Sequence, residues 1–200
     1  MDISLKINSL KKSCISCHEC ELSATRTNVV FGRGNINSSL LVIGEAPGEQ
    51  EDLQGYAFIG RAGKMLDKMF ELVDIDTNKD CFISNIVKCR PPNNRKPKAS
   101  EISSCFHWLE KQVELMNPKV VVLAGSTAVQ SYLQIKDPIS KLRGNWVEKD
   151  GRKIMPIFHP SYLLRNPSQD VGKPKWLTLN DLKEVKKEIN LITQKTLHRY

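Results

Sequence analysis

No stretch of this chain stays apolar for the roughly 20 residues that a membrane-spanning helix needs. Its opening "MDISLKINSLKKSC" holds no long apolar segment followed by a cleavage site. A membrane partner and a secretory leader are therefore not expected, and a cytoplasmic protein is. Internal repeats and low-complexity tracts are missing as well. Neither glycine signature for phosphates is present: there is no G-x-x-x-x-G-K-S/T loop, and no G-x-G-x-x-G follows a strand-like run, which disfavours a nucleotide-binding enzyme despite "FGRGN". Acidic residues are the scarce charge, 22 Asp and Glu against 30 Lys and Arg, a net charge of +8. Such an excess favours a polyanionic partner, nucleic acid above all.

What is present suits a globular protein. Two hundred residues with 40% apolar content can bury one sizeable core, so a single domain over 1–200 is expected. Its appendages are an N-terminal cysteine arm (about 1–35) and a C-terminal helix and tail (about 176–200). Four strand-length apolar runs stand out: "SLLVIG" (39–44), "CFISNIVK" (81–88), "KVVVLAG" (119–125) and "KIMPIF" (153–158). Between them lie helical patterns at 61–73, at 98–116 with Ser100 as N-cap, and from Ser126. Another follows at 176–192, and "TQKTLHRY" is read as a frayed tail. Strands alternating with helices predict a three-layer α/β/α sandwich around a central four-stranded parallel sheet.

Ligands of open α/β sheets sit beyond the carboxyl ends of the strands. Glu45, Asn85 and His159 fall at three such ends. Glu45 opens the acidic stretch "GEAPGEQED", in which Glu49, Glu51 and Asp52 read as solvent or structural charge. The six cysteines are expected to be thiols or metal ligands rather than disulfides. "CISCHEC" holds Cys14, Cys17 and Cys20 as two overlapping C-x-x-C units, and Cys89 and Cys105 bracket fifteen residues. One C-x-x-C plus two later cysteines suits tetrahedral zinc or a cubane iron-sulfur cluster, and spacing does not separate them. Cys81, opening a strand, reads as a small apolar residue.

The motifs "CHECEL", "RTNVVFGRGN", "GEAPGEQEDLQGYAFIGRAGKMLD", "NIVKCRPPNNRKP", "EISSC" and "FHPSYLLRNP" together resemble the family 4 (type 4) iron-sulfur uracil-DNA glycosylases, over about residues 17–190. The resemblance implies the uracil-DNA glycosylase fold and the hydrolysis of deoxyuridine's N-glycosidic bond in single- or double-stranded DNA. It implies a 4Fe-4S cluster on Cys17, Cys20, Cys89 and Cys105, with Cys14 left open as a replacement for Cys20. A monomer is expected, with downstream repair or replication proteins as partners.

Residue by residue, the resemblance gives Phe58 the stacking role and makes Glu45 the group that positions water or meets an oxocarbenium-like sugar. Asn85 can pair with uracil O4 and N3–H, and His159 can donate to O2 as it becomes an oxyanion. Ala46 and Pro47 line the pocket. Leu163, Leu164 or Arg165 is the wedge against the duplex. Lys88, Arg90, Arg95, Lys96 and Lys98 are the expected phosphate contacts on a loop stiffened by Pro91, Pro92 and Pro97.

Overall fold

The structure, a computed structural model, describes residues 2–197. In chain order the helices and strands are α1 (Ile3–Ile15), β1 (Arg33–Gly34), β2 (Leu40–Gly44), α2 (Glu49–Gln54), α3 (Arg61–Glu71), β3 (Phe82–Asn85), α4 (Ala99–Met116), β4 (Val120–Ala124), α5 (Ser126–Leu133), α6 (Ile139–Leu142), β5 (Val147–Lys149), β6 (Arg152–Ile157), α7 (Pro160–Arg165) and α8 (Pro174–Leu197). Short 3-10 turns occupy Glu21–Ala24 and Pro92–Asn94.

The sheet has six strands in the order β1-β3-β2-β4-β6-β5. Its four central strands are the expected parallel ones, with Gly44 paired to Asn85 at the carboxyl end of β2 and β3. The expectation of only four strands is corrected: β1 and β5 add antiparallel edges. They are two and three residues long and carry charge, a form that blunts sheet edges and leaves no apolar run to read.

Strands buried on both faces explain the uninterrupted apolar runs. Leu41, Ile43, Val121 and Leu123 pack with Ile7 and Leu10 of α1, Leu109 of α4 and Val129 of α5. Leu40, Val42, Val120 and Val122 face the other way, onto Leu66 and Phe70 of α3, Leu163 of α7, and Leu182 and Val185 of α8. The three-layer α/β/α sandwich is thereby present, and it aims the loops after β2, β3 and β6 at one end of the sheet.

Helix ends also depart from expectation. Ser100 lies inside α4; the N-cap is Lys98, whose backbone N–H donates to the Glu101 carboxylate at 2.7 Å. The arm opens with helix α1, capped by Asp2, which accepts from the Ser4 amide at 3.1 Å. The expected frayed tail is helical through Leu197, and residues 198–200 lie outside the described ones. Among the described residues, no helix is long and apolar enough to cross a membrane.

Candidate active site and cysteine cage

A cleft of about 510 Å³ opens beyond the carboxyl end of the sheet, lined by Glu45, Ala46, Pro47, Phe58, His159 and Arg165 among others. Glu45, half-buried just past β2, also lines an adjoining cleft of about 480 Å³, shared with Lys96, His159 and Arg165. Its carboxylate has no hydrogen bond or ion pair among the described residues, so its lone pairs face the cleft unspent.

Asn85, the last residue of β3, is 1% exposed, and neither its Oδ1 nor its Nδ2 has a hydrogen-bond partner. Leaving a buried amide unpaired costs about 1–3 kcal/mol per group, so native folds rarely tolerate it. Gly44 sits beside it: a Cβ there would come within 2.6 Å of Asn85 Oδ1 and 2.4 Å of the Phe58 ring. The absence of a side chain at Gly44 is what lets ring and amide share this space.

Phe58 holds a left-handed backbone (φ 53°), strained for an aromatic residue. The surrounding groups over-determine it. Glu51 accepts from the amides of Ile59 (2.9 Å), Gly60 (2.7 Å) and Gly48 (3.1 Å), clamping the Phe58 loop to the Pro47–Gly48 turn. Arg33 donates to the carbonyls of Ala57 (2.7 Å) and Phe58 (3.2 Å) and pairs with Asp67 at 2.5 Å. A Cβ on Gly63 would fall 1.8 Å from the Phe58 carbonyl oxygen, so α3 packs against the loop only through a glycine.

His159 caps α7. Its Nδ1 accepts the Ser161 amide at 3.2 Å and lies 2.8 Å from Ser161 Oγ. With Nδ1 the acceptor, the neutral ring carries its proton on Nε2, free to donate. Burial, with the Arg165 guanidinium second, holds the imidazole down at about 4, so it is neutral at pH 7. Gly125, after β4, gives the ring room: a Cβ there would meet His159 Cβ at 2.8 Å.

Two expected DNA contacts are displaced by burial. Leu163 is 1% exposed in the α3–α7–α8 core and cannot reach a duplex as a wedge, whereas Leu164 is half-buried and Arg165 exposed. Lys88 is likewise 1% exposed, its ammonium turned inward, and does not serve phosphate. Lys96 and Arg95 stand at the cleft rims. Arg95 is braced by Glu101 through bonds of 2.8 and 2.5 Å, which hold that carboxyl down at about 2. Arg90 donates to Asn94 at 2.8 Å, and Lys98 pairs with Glu21 at 2.6 Å.

Away from the cleft, Cys14, Cys17, Cys20, Cys89 and Cys105 line one small cavity with Arg26, Lys88 and Trp108. No three of the described ligating side chains converge on a single-ion position. The sulfurs nevertheless have donors aimed at them: Arg26 Nη1 to Cys89 Sγ and the Lys88 amide to Cys105 Sγ, both at 3.2 Å. The Trp108 indole N–H, buried, has no partner. Cys81 lies elsewhere, fully buried beside β3.

Residues 31–183 match the model of the uracil DNA glycosylase superfamily. The chain belongs to that superfamily. It is 43% identical over 172 residues to a type-4 uracil-DNA glycosylase of Thermotoga maritima, covering 85% of this chain and 88% of that protein. The type-4 uracil-DNA glycosylase of Archaeoglobus fulgidus is 37% identical over 80% of this chain and 84% of its own length. That of Sulfurisphaera tokodaii is 38% identical, over 81% and 77%. Within this type-4 uracil-DNA glycosylase frame, the groups that sequence reasoning missed are Gly44, Gly63, Gly125, Arg33 and Ser161, while Glu51, read as solvent or structural charge, is structural. All shape the site without facing it as reactive groups, so residue type alone carries little signal.

Proposed function

We propose that this chain is a DNA repair enzyme that hydrolyses the N-glycosidic bond of deoxyuridine, releasing uracil and leaving an abasic site. The observation that carries this is the unpartnered Asn85 amide, buried next to Phe58 at the end of the sheet. A uracil flipped from the stack would supply both missing partners, O4 accepting from Nδ2 and N3–H donating to Oδ1. Cytosine presents an amine and an unprotonated nitrogen at those positions, so it would leave two mismatched buried groups. Phe58 stacks on the base face, and the backbone of Ala46 and Pro47 walls the cleft.

As the N1–C1′ bond breaks, its electron pair passes into uracil and charge gathers on O2. His159 donates its Nε2–H there from neutral imidazole, a contribution of ~3 kcal/mol. Glu45 orients water toward C1′ and offsets the positive charge growing on the sugar. Water's oxygen bonds to C1′ and its proton leaves to Glu45 or solvent. Arg90, Arg95 and Arg165 would hold phosphates, and Leu164 or Arg165 would fill the gap left by the flipped nucleotide.

Cys17, Cys20, Cys89 and Cys105 would hold a 4Fe-4S cluster. The residues fit: several thiols surround one cavity, two sulfurs already accept N–H donors, and the orphaned Trp108 N–H lacks an acceptor that a sulfur-rich group supplies. When bound, such a cluster cross-links the arm, the loop after β3 and α4, and hydrolysis draws no electron from it. The chain is read as one domain, monomeric and cytoplasmic, handing its abasic product to downstream repair or replication proteins.

The test is incubation with a labelled uracil-containing oligonucleotide followed by alkaline cleavage, with Asn85→Ala as control. Strand scission that needs uracil and is slowed sharply, though still measurable at single turnover, in Asn85→Ala is expected. An intact strand with iron-loaded protein would overturn the proposal.

A further inference from the structure

Lys88 is a buried cation that the chemistry above does not use. Its ammonium donates to Ser84 Oγ, the Asn85 carbonyl and Gln112 Oε1, each at 2.7 Å. Three acceptors match the three hydrogens of an ammonium. Ser84 Oγ and Gln112 Nε2 in turn donate to the Phe31 carbonyl, at 3.1 and 2.8 Å, so the cage around the cation is closed. Taking a charge out of water costs several kcal/mol, and an apolar side chain would fill the same space without that penalty. Something must require the charge here.

The need lies at Asn85. Its side chain has no partner in the protein, so it cannot be aimed by its own hydrogen bonds without spending the groups that read the base. Its orientation must come through its backbone. Backbone bonds from Ile86 to Gly44 (2.9 Å) and from Val87 to Glu45 (3.2 Å) carry the pairing with β2 past the Gly44–Asn85 pair, and the Asn85 carbonyl is taken up by the Lys88 ammonium. Lys88 is itself fixed twice to α4, through its amide to Cys105 Sγ at 3.2 Å and through Nζ to Gln112. It also lines the cysteine cavity, where a cation offsets thiolate charge.

Resting on the function proposed above, we infer that Lys88 is a positioning residue: it fixes the base-reading amide of Asn85 to the cysteine cage and α4, so that cage and base pocket form one rigid unit.

The test is a double-mutant cycle on single-turnover excision, joining Lys88→Met, which keeps the stem and removes the charge, to Asn85→Ala. Lys88→Met is expected to slow excision by about 100-fold, the scale of a catalytic group misplaced by about an ångström. In the Asn85→Ala background it is expected to add less than about 2-fold, because the group it aims is gone. Equal slowing in both backgrounds would mark a merely structural role and overturn the inference, as would an unchanged rate in the parent. Should Lys88→Met fail to fold or to load iron, Ser84→Ala takes its place in the cycle, unhooking the ammonium away from the cysteines. The same non-additivity supports the inference and additivity defeats it. Absence of excision by the unmodified, iron-loaded protein would instead defeat the functional reading, which the parent arm reports separately.

Discussion

At the residue scale the site depends on what two positions withhold. Gly44 withholds a side chain, and an added methyl would lie 2.4 Å from Phe58 and 2.6 Å from Asn85 Oδ1. Gly44→Ala is therefore expected to lower single-turnover excision by about 100-fold, with the circular dichroism of the parent retained and a lower melting temperature, since the clash falls on Phe58 and Asn85, which are buried as well as pocket-forming. A full rate would mean that ring and amide do not need this closeness. His159 withholds a charge. Its folded value of about 4 lies below the ordinary 6.5, so protons bind the unfolded chain first. The stability tied to its neutrality is complete above pH 6.5 and declines as pH falls from there toward 4. Catalysis follows the folded value: excision should stay level from pH 8 down to about 5 and drop as pH approaches 4. An imidazolium donor would give the opposite profile, with activity appearing only as pH falls toward 4 and lost as pH rises through that folded value.

At the element scale, α2 is a clamp rather than a layer of the core. Glu51 gathers three amides from two loops, and Asp52 accepts from Thr27 at 2.9 and 3.0 Å and from Asn28 at 3.1 Å, fastening the segment after the cysteine arm. Glu51→Ala would orphan those amides and release the strained Phe58. A stability loss of about 2 kcal/mol in urea unfolding is expected, together with weaker inhibition by free uracil. A variant as stable as the parent, with unaltered uracil inhibition, would show that Phe58 is held by Arg33 and Gly63 alone. The same element shows which parts of the fold are legible in sequence. Strands β2 and β4 are buried on both faces and announce themselves as apolar runs. Glu45, Asn85 and His159 are polar residues at strand ends, where α/β topology puts ligands. By contrast, α1 carries Ile3, Ile7, Leu10 and Cys14 at helical spacing, but its lysines mask the pattern. A basic loop and a leucine beside the histidine suit DNA, which points Lys88 and Leu163 there in sequence; which way a side chain turns depends on tertiary packing that composition does not encode. Gly44 and Gly125 matter through what approaches them, a fact available only once the chain has folded.

At the scale of the whole molecule, the loop after β3 joins the two sites, carrying Cys89 into the cysteine cage and Pro91, Asn94 and Arg95 into the cleft, so the cage's ligand set bears on the entire site. Five thiols line the cavity where four suffice. Cys14 is fully buried and packs with Ile7 and Leu10 in the core beneath α1, whereas Cys17 and Cys20 are half-exposed on the turn that follows. Burial pushes the Cys14 thiol up to about 12. Cys105 is also pushed up, to about 11, but it accepts the Lys88 amide, a hydrogen bond that favours the ionised sulfur. No such donor reaches Cys14 among the described residues. Cys14 is therefore expected to act as a packing residue, with Cys17 and Cys20 the expected pair on the arm. Cys14→Ser is expected to retain iron and the broad absorption near 400 nm with a modest fall in melting temperature, while Cys20→Ser loses both iron and absorption. Full iron in Cys20→Ser together with its loss in Cys14→Ser would transfer the ligand to Cys14 and require α1 to open its packing against α4 to deliver it.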